Sequence, residues 1–511
     1  MPNVSSMTEE VPPPASAMIE SMRAYGYSTP MGIADLIDNS IFAGATRVWL
    51  NFNWSGADSF ISIADNGRGM SEEQLVSAMK LGSQNPLEVR AEKDLGRFGL
   101  GLKTSSFSQC RRMSVLSLMS GKSSVRQWDL DFIAEQARNG NDKWLLQKAV
   151  SEKTQERLNF LENVSSGTVV LWENIDRITP HGTSVSDERA HKNFLNLIKN
   201  TEEYLAMIFH RYLDDIARDF KIFINGTEEH NRIKSWNPFL RHTATTPTPE
   251  ETIPVNNNRI TVKGFVLPHK DRLDETEYKE AGGPKGWNAQ QGFYLYRNKR
   301  LLVSGSWLGL RDIKPWTQEE HYKLARIRID IPNSMDLEWQ IDVKKTNAIL
   351  PNAVLERLFI LGKDVRQKAR EVFSHRGRYG PRQRRAVIAR PWKTLERNGS
   401  VTYQIDRRHP LVETALNLPG QNKEVLEAML EVIEETVPVQ RIWLDMAEKP
   451  DAQSTPFKNK TLTDVKRNLM FSYKVMVSSG LEHPQAINKL KTMEEYLDYP
   501  ELIENLNKDE S

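Results

Sequence analysis

Apolar positions recur at helical spacing from Ser16 onward. They then alternate with short β-rich runs such as Val48-Trp49-Leu50-Asn51-Phe52 and Phe60-Ile61-Ser62-Ile63. This mixture lasts to about Lys221, where KIFINGTEE reads as a hairpin turning at Asn225-Gly226. The Thr- and Pro-rich stretch from His242 to Pro254 reads as a connection. A second α+β region follows, with a near-alternating strand from Ile260 to Val266, an aromatic strand Phe293-Tyr294-Leu295-Tyr296, and a strand expected over Trp339 to Val343. After Pro351 the pattern is helical and basic to about Arg397. The last hundred or so residues are mainly helical, with one strand-like piece at Val401 to Ile405. Within Lys423 to Thr436, apolar Val425, Leu426, Met429, Leu430 and Ile433 suit a packed helix or an oligomer interface equally well. The expected layout is a flexible or extended arm over 1–15 containing Pro12-Pro13-Pro14, a first domain over 16–238 and a linker over 239–255. A second domain spans 256–355, a basic helical or loop segment 356–400, and a mainly helical region 401–511. No internal repeat is visible.

A length of 511 residues fits about three domains. With 39% hydrophobic and 27% charged residues the chain reads as an ordinary globular protein. No apolar run approaches the ~18 residues of a membrane span, and the N-terminus lacks the basic start and apolar core of a secretory signal, so a cytoplasmic location is expected. A single cysteine, Cys110, excludes a disulfide framework and a Cys-rich zinc module. The net charge is only +2, so any contact with nucleic acid must come from a local patch.

Four pieces of the first domain carry candidate chemistry. In Ala34-Asp35-Leu36-Ile37-Asp38-Asn39-Ser40, a helical spacing puts Asp35 and Asn39 on one face. There an amide oxygen can ligate Mg²⁺ and a carboxylate can deprotonate water attacking a phosphate, with Asp38 placed to meet a metal-bound water. The same spacing also suits a solvated helix face. In Ile61-Ser62-Ile63-Ala64-Asp65-Asn66-Gly67-Arg68-Gly69-Met70, a strand runs into D-x-G-x-G. Asp65 suits the exocyclic amine of adenine, and Gly67 and Gly69 allow close backbone approach to a flat base, although a plain strand-ending turn has the same pattern. Gly96-Arg97-Phe98-Gly99-Leu100-Gly101-Leu102-Lys103-Thr104 can cradle phosphates before a helix start, yet fits neither a Walker A loop nor the Rossmann order of glycines. Gly167-Thr168-Val169-Val170-Leu171-Trp172 is a strand opening on a hydroxyl.

Taken in order, these pieces resemble the Bergerat nucleotide fold of the GHKL superfamily, which covers type II topoisomerases, heat-shock chaperones, histidine kinases, MutL and MORC proteins. The resemblance runs from about Ser16 to Asp176. It implies Asp35 as general base, Asn39 as Mg²⁺ ligand and Asp65 as the adenine contact supported by Thr168. It also implies a nucleotide-binding set of Gly67, Gly69, Met70, Gly96, Gly99, Leu100, Gly101, Lys103 and Thr104, with Gly96, Gly99 and Gly101 forming the ATP lid and Lys103 near the phosphates. The base of hydrolysing relatives is usually Glu; Asp35 is one methylene shorter, which implies a closer helix or slow turnover.

Gly292-Phe293-Tyr294-Leu295-Tyr296-Arg297-Asn298-Lys299-Arg300-Leu301-Leu302 is similar to part of the ribosomal-protein-like transducer domain of MutL and MORC ATPases. The resemblance places Trp339-Gln340-Ile341-Asp342-Val343-Lys344-Lys345-Thr346 where transducers deliver a lysine to the γ-phosphate. On a strand, Lys345 shares a face with Ile341 and Val343, making it the candidate over Lys344; two solvated lysines on an edge strand remain the alternative. The expected fold class is therefore α+β: a Bergerat α/β sandwich ATPase domain, a transducer domain and a mainly helical C-terminal region. The arrangement resembles prokaryotic MORC-like ATPases, which tend to be encoded with phage-defence components. It lacks both the cysteine cluster of eukaryotic MORC proteins and a metal-binding endonuclease motif. The weaker likeness at Tyr403 to Val412 includes His409, expected to be a structural turn residue.

From Lys363 to Arg397, twelve Lys or Arg stand against three acids, and Arg376, Arg378, Arg382, Arg384 and Arg385 alternate with Gly and Tyr. That composition suits a DNA backbone and equally a solvated basic helix and loop. The expectation is an ATP- and Mg²⁺-dependent homodimeric clamp acting on DNA in a defence or DNA-processing setting, with operon-encoded partner proteins and no membrane. Its rivals are a protein-remodelling chaperone and an ATP-holding switch with little hydrolysis.

Overall fold

The helix carrying Asp35 is apolar on almost every side, and a helix of that kind belongs inside a fold. In the computed structural model, which describes residues 13–82, 101–159, 164–240, 245–342, 348–374, 388–397, 400–418, 422–448, 457 and 460–506, it is the central helix of the first of two compact units, 1–380 and 381–511.

The first unit begins with α1 (Ala15–Arg23), α2 (Thr29–Phe42), β1 (Arg47–Asn53), β2 (Phe60–Asp65), α3 (Glu72–Met79), α4 (Gly101–Phe107), β3 (Arg112–Met119) and β4 (Lys122–Asp129). It continues through α5 (Leu130–Arg138), α6 (Glu152–Leu158), β5 (Gly167–Glu173), α7 (Glu188–Ile208), α8 (His210–Leu213) and β6 (Lys221–Ile224). The strands form one sheet in the order β4-β3-β5-β2-β1-β6, antiparallel except for the β1–β6 pair. Strand side chains alternate between faces. Val48, Leu50, Ile61, Ile63, Met113, Val115 and Trp172 join Ile33, Ile37 and Ile41 of α2 in the main core, while Ala64, Leu116, Val169 and Leu171 form a smaller cluster with Leu158 of α6. Pro30 in the first turn of α2 suits a helix start, where a missing N–H costs nothing. The KIFINGTEE segment turns at Asn225 (φ 51°), but its return consists of a single bridge, Phe223 to Arg232, and a 3₁₀ turn over Glu229–Asn231.

A second sheet is built from β7 (Thr246–Pro247), β8 (Glu251–Val255), β9 (Asn258–Val266), β10 (Gly292–Arg297), β11 (Arg300–Ser306) and β12 (Ala325–Ile331), with α9 (Glu275–Gly282) and α10 (Gly286–Ala289) between β9 and β10. Its order is β11-β10-β12-β9-β7, with β8 also on β9. The stretch expected as a linker over 239–255 thus contributes two strands. Pro254 is tolerated because β8 pairs with β9 alone. Helix α11 (Asn352–Ser374) packs Val354, Leu358, Leu361, Val365 and Ala369 into this sheet's core, and Arg366 lies 3.9 Å from the ring centre of Tyr322 and 4.3 Å from that of Trp316. Tyr294, Tyr296 and Leu301 pack instead into the core of the first sheet. The strand expected over Trp339 to Val343 is overturned for its described part: 336–342 is a turn followed by irregular chain, and Gln340 has φ 45°, which no strand accommodates.

The second unit holds the hairpin β13 (Trp392–Arg397) and β14 (Ser400–Ile405), followed by α12 (Pro410–Leu416), α13 (Lys423–Glu435), α14 (Val439–Glu448), α15 (Leu462–Ser478), α16 (His483–Thr492) and α17 (Pro500–Glu504). β13 falls in the segment expected to be helix and loop. Its core is Leu469, Tyr473, Met476, Leu490, Met493 and Tyr496. Leu430 of α13 is buried while Val425 and Met429 face outward. His409 is buried just before α12, with Nε2 3.4 Å from Glu495.

Candidate functional site

A helix as buried as α2 must find partners for its polar side chains. From Gly32 to Ile41 every residue is buried except Asn39, so the amide of Asn39 is the one group that this stretch presents outward. Ser40 donates to Oδ2 of Asp65 at 2.8 Å, joining α2 to the end of β2. Oδ1 of Asp65 accepts from the Gly67 N–H at 2.8 Å, and the Thr168 N–H, opposite Asp65 in the β2–β5 register, also donates to it. Burial raises the Asp65 carboxyl above its ordinary value, with these donors acting against the shift. The Thr168 side chain turns to Ser117 (3.0 Å), whose hydroxyl also accepts from the Met70 N–H at 2.9 Å.

Gly67 and Gly69 are required by the chain itself. A Cβ at Gly69 (φ 68°) would lie 2.0 Å from the Leu118 carbonyl oxygen, and one at Gly67 would lie 2.8 Å from the Ala43 Cβ.

One turn before Asn39, Oδ2 of Asp35 accepts from the Tyr27 hydroxyl at 3.0 Å. Burial and the Asp35 charge push that phenol far above its ordinary value, so it stays a donor. Thr104 hydrogen-bonds the same phenol, and a Cβ at Gly101 would sit 3.8 Å from Oδ2 of Asp35. The start of α4 therefore abuts Asp35. The Asp342 charge adds a smaller upward push on the same phenol. About 6 Å of helix rise separates Asp35 from Asn39, and Asp65 lies beyond.

Lys103 is buried and donates to the Ala78 carbonyl at 2.9 Å, and burial pulls its ammonium down to about 8. Asp38 is buried and pairs with Arg300 of β11 at 2.9 Å. Gly96, Gly99, Leu100, Lys344, Lys345 and the arginines 376, 378, 382, 384 and 385 lie outside the described residues. Sequence reasoning missed Tyr27, Ser117 and Arg300. Ser40 lies within the Ala34 to Ser40 motif, where a hydroxyl next to Asn39 on an apolar helix signals a buried donor.

Residues 27–168 match the model of the histidine kinase-, DNA gyrase B- and HSP90-like ATPase family. Those residues form a GHKL-type ATPase domain. Over 89 residues, 17% of the chain, the protein is 28% identical to the ATPase morc-1 of Caenorhabditis elegans and 30% identical to the DNA mismatch repair protein MutL of Dictyoglomus thermophilum. The matched part covers 10% and 15% of those two proteins.

The ATPase domain's own oxygen atoms fit an adenine nucleotide. A carboxylate has about four acceptor sites, and Asp65 has hydrogen bonds from Ser40, Gly67 and Thr168, which leaves room for one exocyclic amine. Asn39 offers an exposed amide oxygen, suited to the one or two protein ligands that Mg²⁺ takes alongside phosphates. Among the described residues no helix is long and apolar enough to cross a membrane.

Proposed function

We propose that the chain is a Mg²⁺-dependent ATPase whose nucleotide lies along α2, with adenine at Asp65 and the phosphates toward Asn39, Gly101 and Asp35. The observation that carries this reading is the placement of Asp35, Asn39 and the Ser40–Asp65 bond along a single helix, with the start of α4 against Asp35. Asn39 would hold Mg²⁺, which would supply charge compensation for the phosphates. Asp35 receives a proton from the attacking water, and Tyr27 keeps its carboxylate oriented. Lys103 and Thr104 belong to the phosphate end. The Asp342 charge acting on Tyr27 supports the reading that Lys345 or its neighbour Lys344 comes to the γ-phosphate from the second sheet, in the manner of a transducer.

Contact between a γ-phosphate and a lysine from another sheet gives a two-state element. On this reading ATP closes a homodimeric clamp and hydrolysis reopens it, with DNA as cargo held by Arg376, Arg378, Arg382, Arg384 and Arg385, in a phage-defence or DNA-processing setting with operon-encoded partners. The basic composition of 363–397 supports DNA as the cargo. A second reading, a nucleotide switch with slow turnover, is favoured by Asp35 standing where relatives carry Glu.

Turnover measured with and without double-stranded DNA, for the wild type, Asp35→Ala and Asp35→Glu, tests both. The ATPase reading expects Asp35→Ala to lose on the order of 10²-fold in kcat and DNA to change the wild-type rate. Unchanged turnover in Asp35→Ala removes Asp35 as base, and faster turnover in Asp35→Glu identifies the slow switch.

A further inference from the structure

We propose that the turn Arg297-Asn298-Lys299-Arg300 between β10 and β11 is a strut joining the nucleotide helix α2 to the stretch 333–342, with Arg300 and Arg297 as its two positioning residues. The inference rests on the site assignment proposed above for its functional meaning, and on the following geometry for its existence.

Arg300 and Asp38 pair at 2.9 Å with side chains only 2% and 1% exposed. Asp38 lies between Asp35 and Asn39 on α2, so the pair grips that helix within the candidate site. The guanidinium also lies 4.7 Å from the ring centre of Phe209 and bonds Tyr204, both from the α7 end. Burial works against the Arg300 charge, and Asp38, Tyr204 and Asp35 together outweigh it, so this cation feels both acidic residues of the helix.

Three residues earlier, Arg297 pairs with Asp336 at 2.5 Å, with 1% and 3% of the side chains exposed. Asn298 adds a bond from its Nδ2 to Asn333 at 3.0 Å. Asp336 opens the stretch that leads through fully buried Trp339 to Asp342, whose charge reaches Tyr27. The turn itself is stiff: Asn298 and Lys299 both have positive φ (49° and 68°), as the tight primed hairpin turn requires. Tyr212 donates to the Asn298 carbonyl, and Lys299 pairs with Asp215 at 2.5 Å. A buried ion pair is costly to break by removing one partner, so neither grip slides. A shift of α2 must carry the turn, and the turn must carry Asp336.

The test is amide hydrogen exchange on the full chain, together with steady-state turnover. It compares the wild type with the double variants Asp38→Asn/Arg300→Gln and Arg297→Gln/Asp336→Asn, which remove charge while keeping hydrogen-bonding shape. Without nucleotide, each double variant is expected to exchange the 333–342 amides at least about fivefold faster, with β1 to β3 unchanged. With ATP and Mg²⁺, kcat is expected to fall about tenfold while the ATP KM stays within about threefold. Wild-type exchange across 333–342, or a loss confined to KM, overturns the strut. The nucleotide-free arm uses no ATP, so a wild type that does not bind ATP removes the proposed function while that arm still decides the strut. Should the double variants not fold, Arg300→Lys takes their place, because it keeps the charge but not the planar fork. A lowered kcat at an unchanged melting temperature supports the strut, and an unchanged kcat overturns it.

Discussion

The Ser40 hydroxyl donates to the Asp65 carboxylate at 2.8 Å, tying α2 to the strand end proposed above to meet adenine. Asp65→Asn replaces an acceptor that serves three donors with an amide that serves fewer. ATP affinity is expected to fall by about 2–3 kcal/mol, roughly 30- to 150-fold, measured by titration calorimetry. Because burial raises the Asp65 carboxyl, its proton returns at a higher pH than for an ordinary aspartate. Wild-type affinity should therefore decline on acidification from above the usual carboxylate range, relative to Asp65→Asn at each pH.

On the proposed reading Tyr27 acts through Asp35, to which its hydroxyl donates, so its loss should leave nucleotide binding alone. Tyr27→Phe is expected to keep the ATP KM within about twofold and lower kcat about five- to tenfold, because the shorter carboxylate loses the bond that orients it. Equal kcat in steady-state assays would contradict that role.

Lys103 makes a pH-dependent contribution whose sign is fixed by burial. Its ammonium is held down to about 8 against an ordinary value of 10.5, so between these values the unfolded chain binds more protons than the folded one. Stability from this group is lowest below pH 8 and rises with pH across that window. The Lys103→Met variant removes the effect. Relative to it, the nucleotide-free wild type should gain on the order of 2–3 kcal/mol as pH rises through the window, read from denaturant unfolding.

At Gly69 the added Cβ meets the Leu118 carbonyl oxygen at 2.0 Å on a backbone of φ 68°. Gly69→Ala should cost about 2–4 kcal/mol of stability through strain in both places. A melting temperature equal to the wild type's would contradict this packing.

How much was legible in the sequence depended on how local the signal was. The strand before Asp65, the D-x-G-x-G turn and the helical spacing of Asp35 and Asn39 are written within a few residues each. Tyr27 is eight residues from Asp35 but lies before the helix, so helical spacing does not pair them, while Ser117 is 51 residues from Thr168 and Arg300 is 262 residues from Asp38, too far for any local pattern to join. The stretch 339–342 alternates like a strand because a turn buries Trp339 and Ile341 together, and only the backbone of Gln340 betrays it. The Thr- and Pro-rich segment over 246–255 reads as a connection because edge strands tolerate the residues that central strands exclude.

The most direct test is the stoichiometry and affinity of ATP binding in the presence of Mg²⁺, measured by calorimetry for the wild type, Asp65→Asn and Asn39→Ala. One ATP per chain, weakened in both variants, with the Mg²⁺ dependence lost in Asn39→Ala, is the predicted result. No binding by the wild type, or wild-type affinity in both variants, would contradict a single nucleotide lying along this helix.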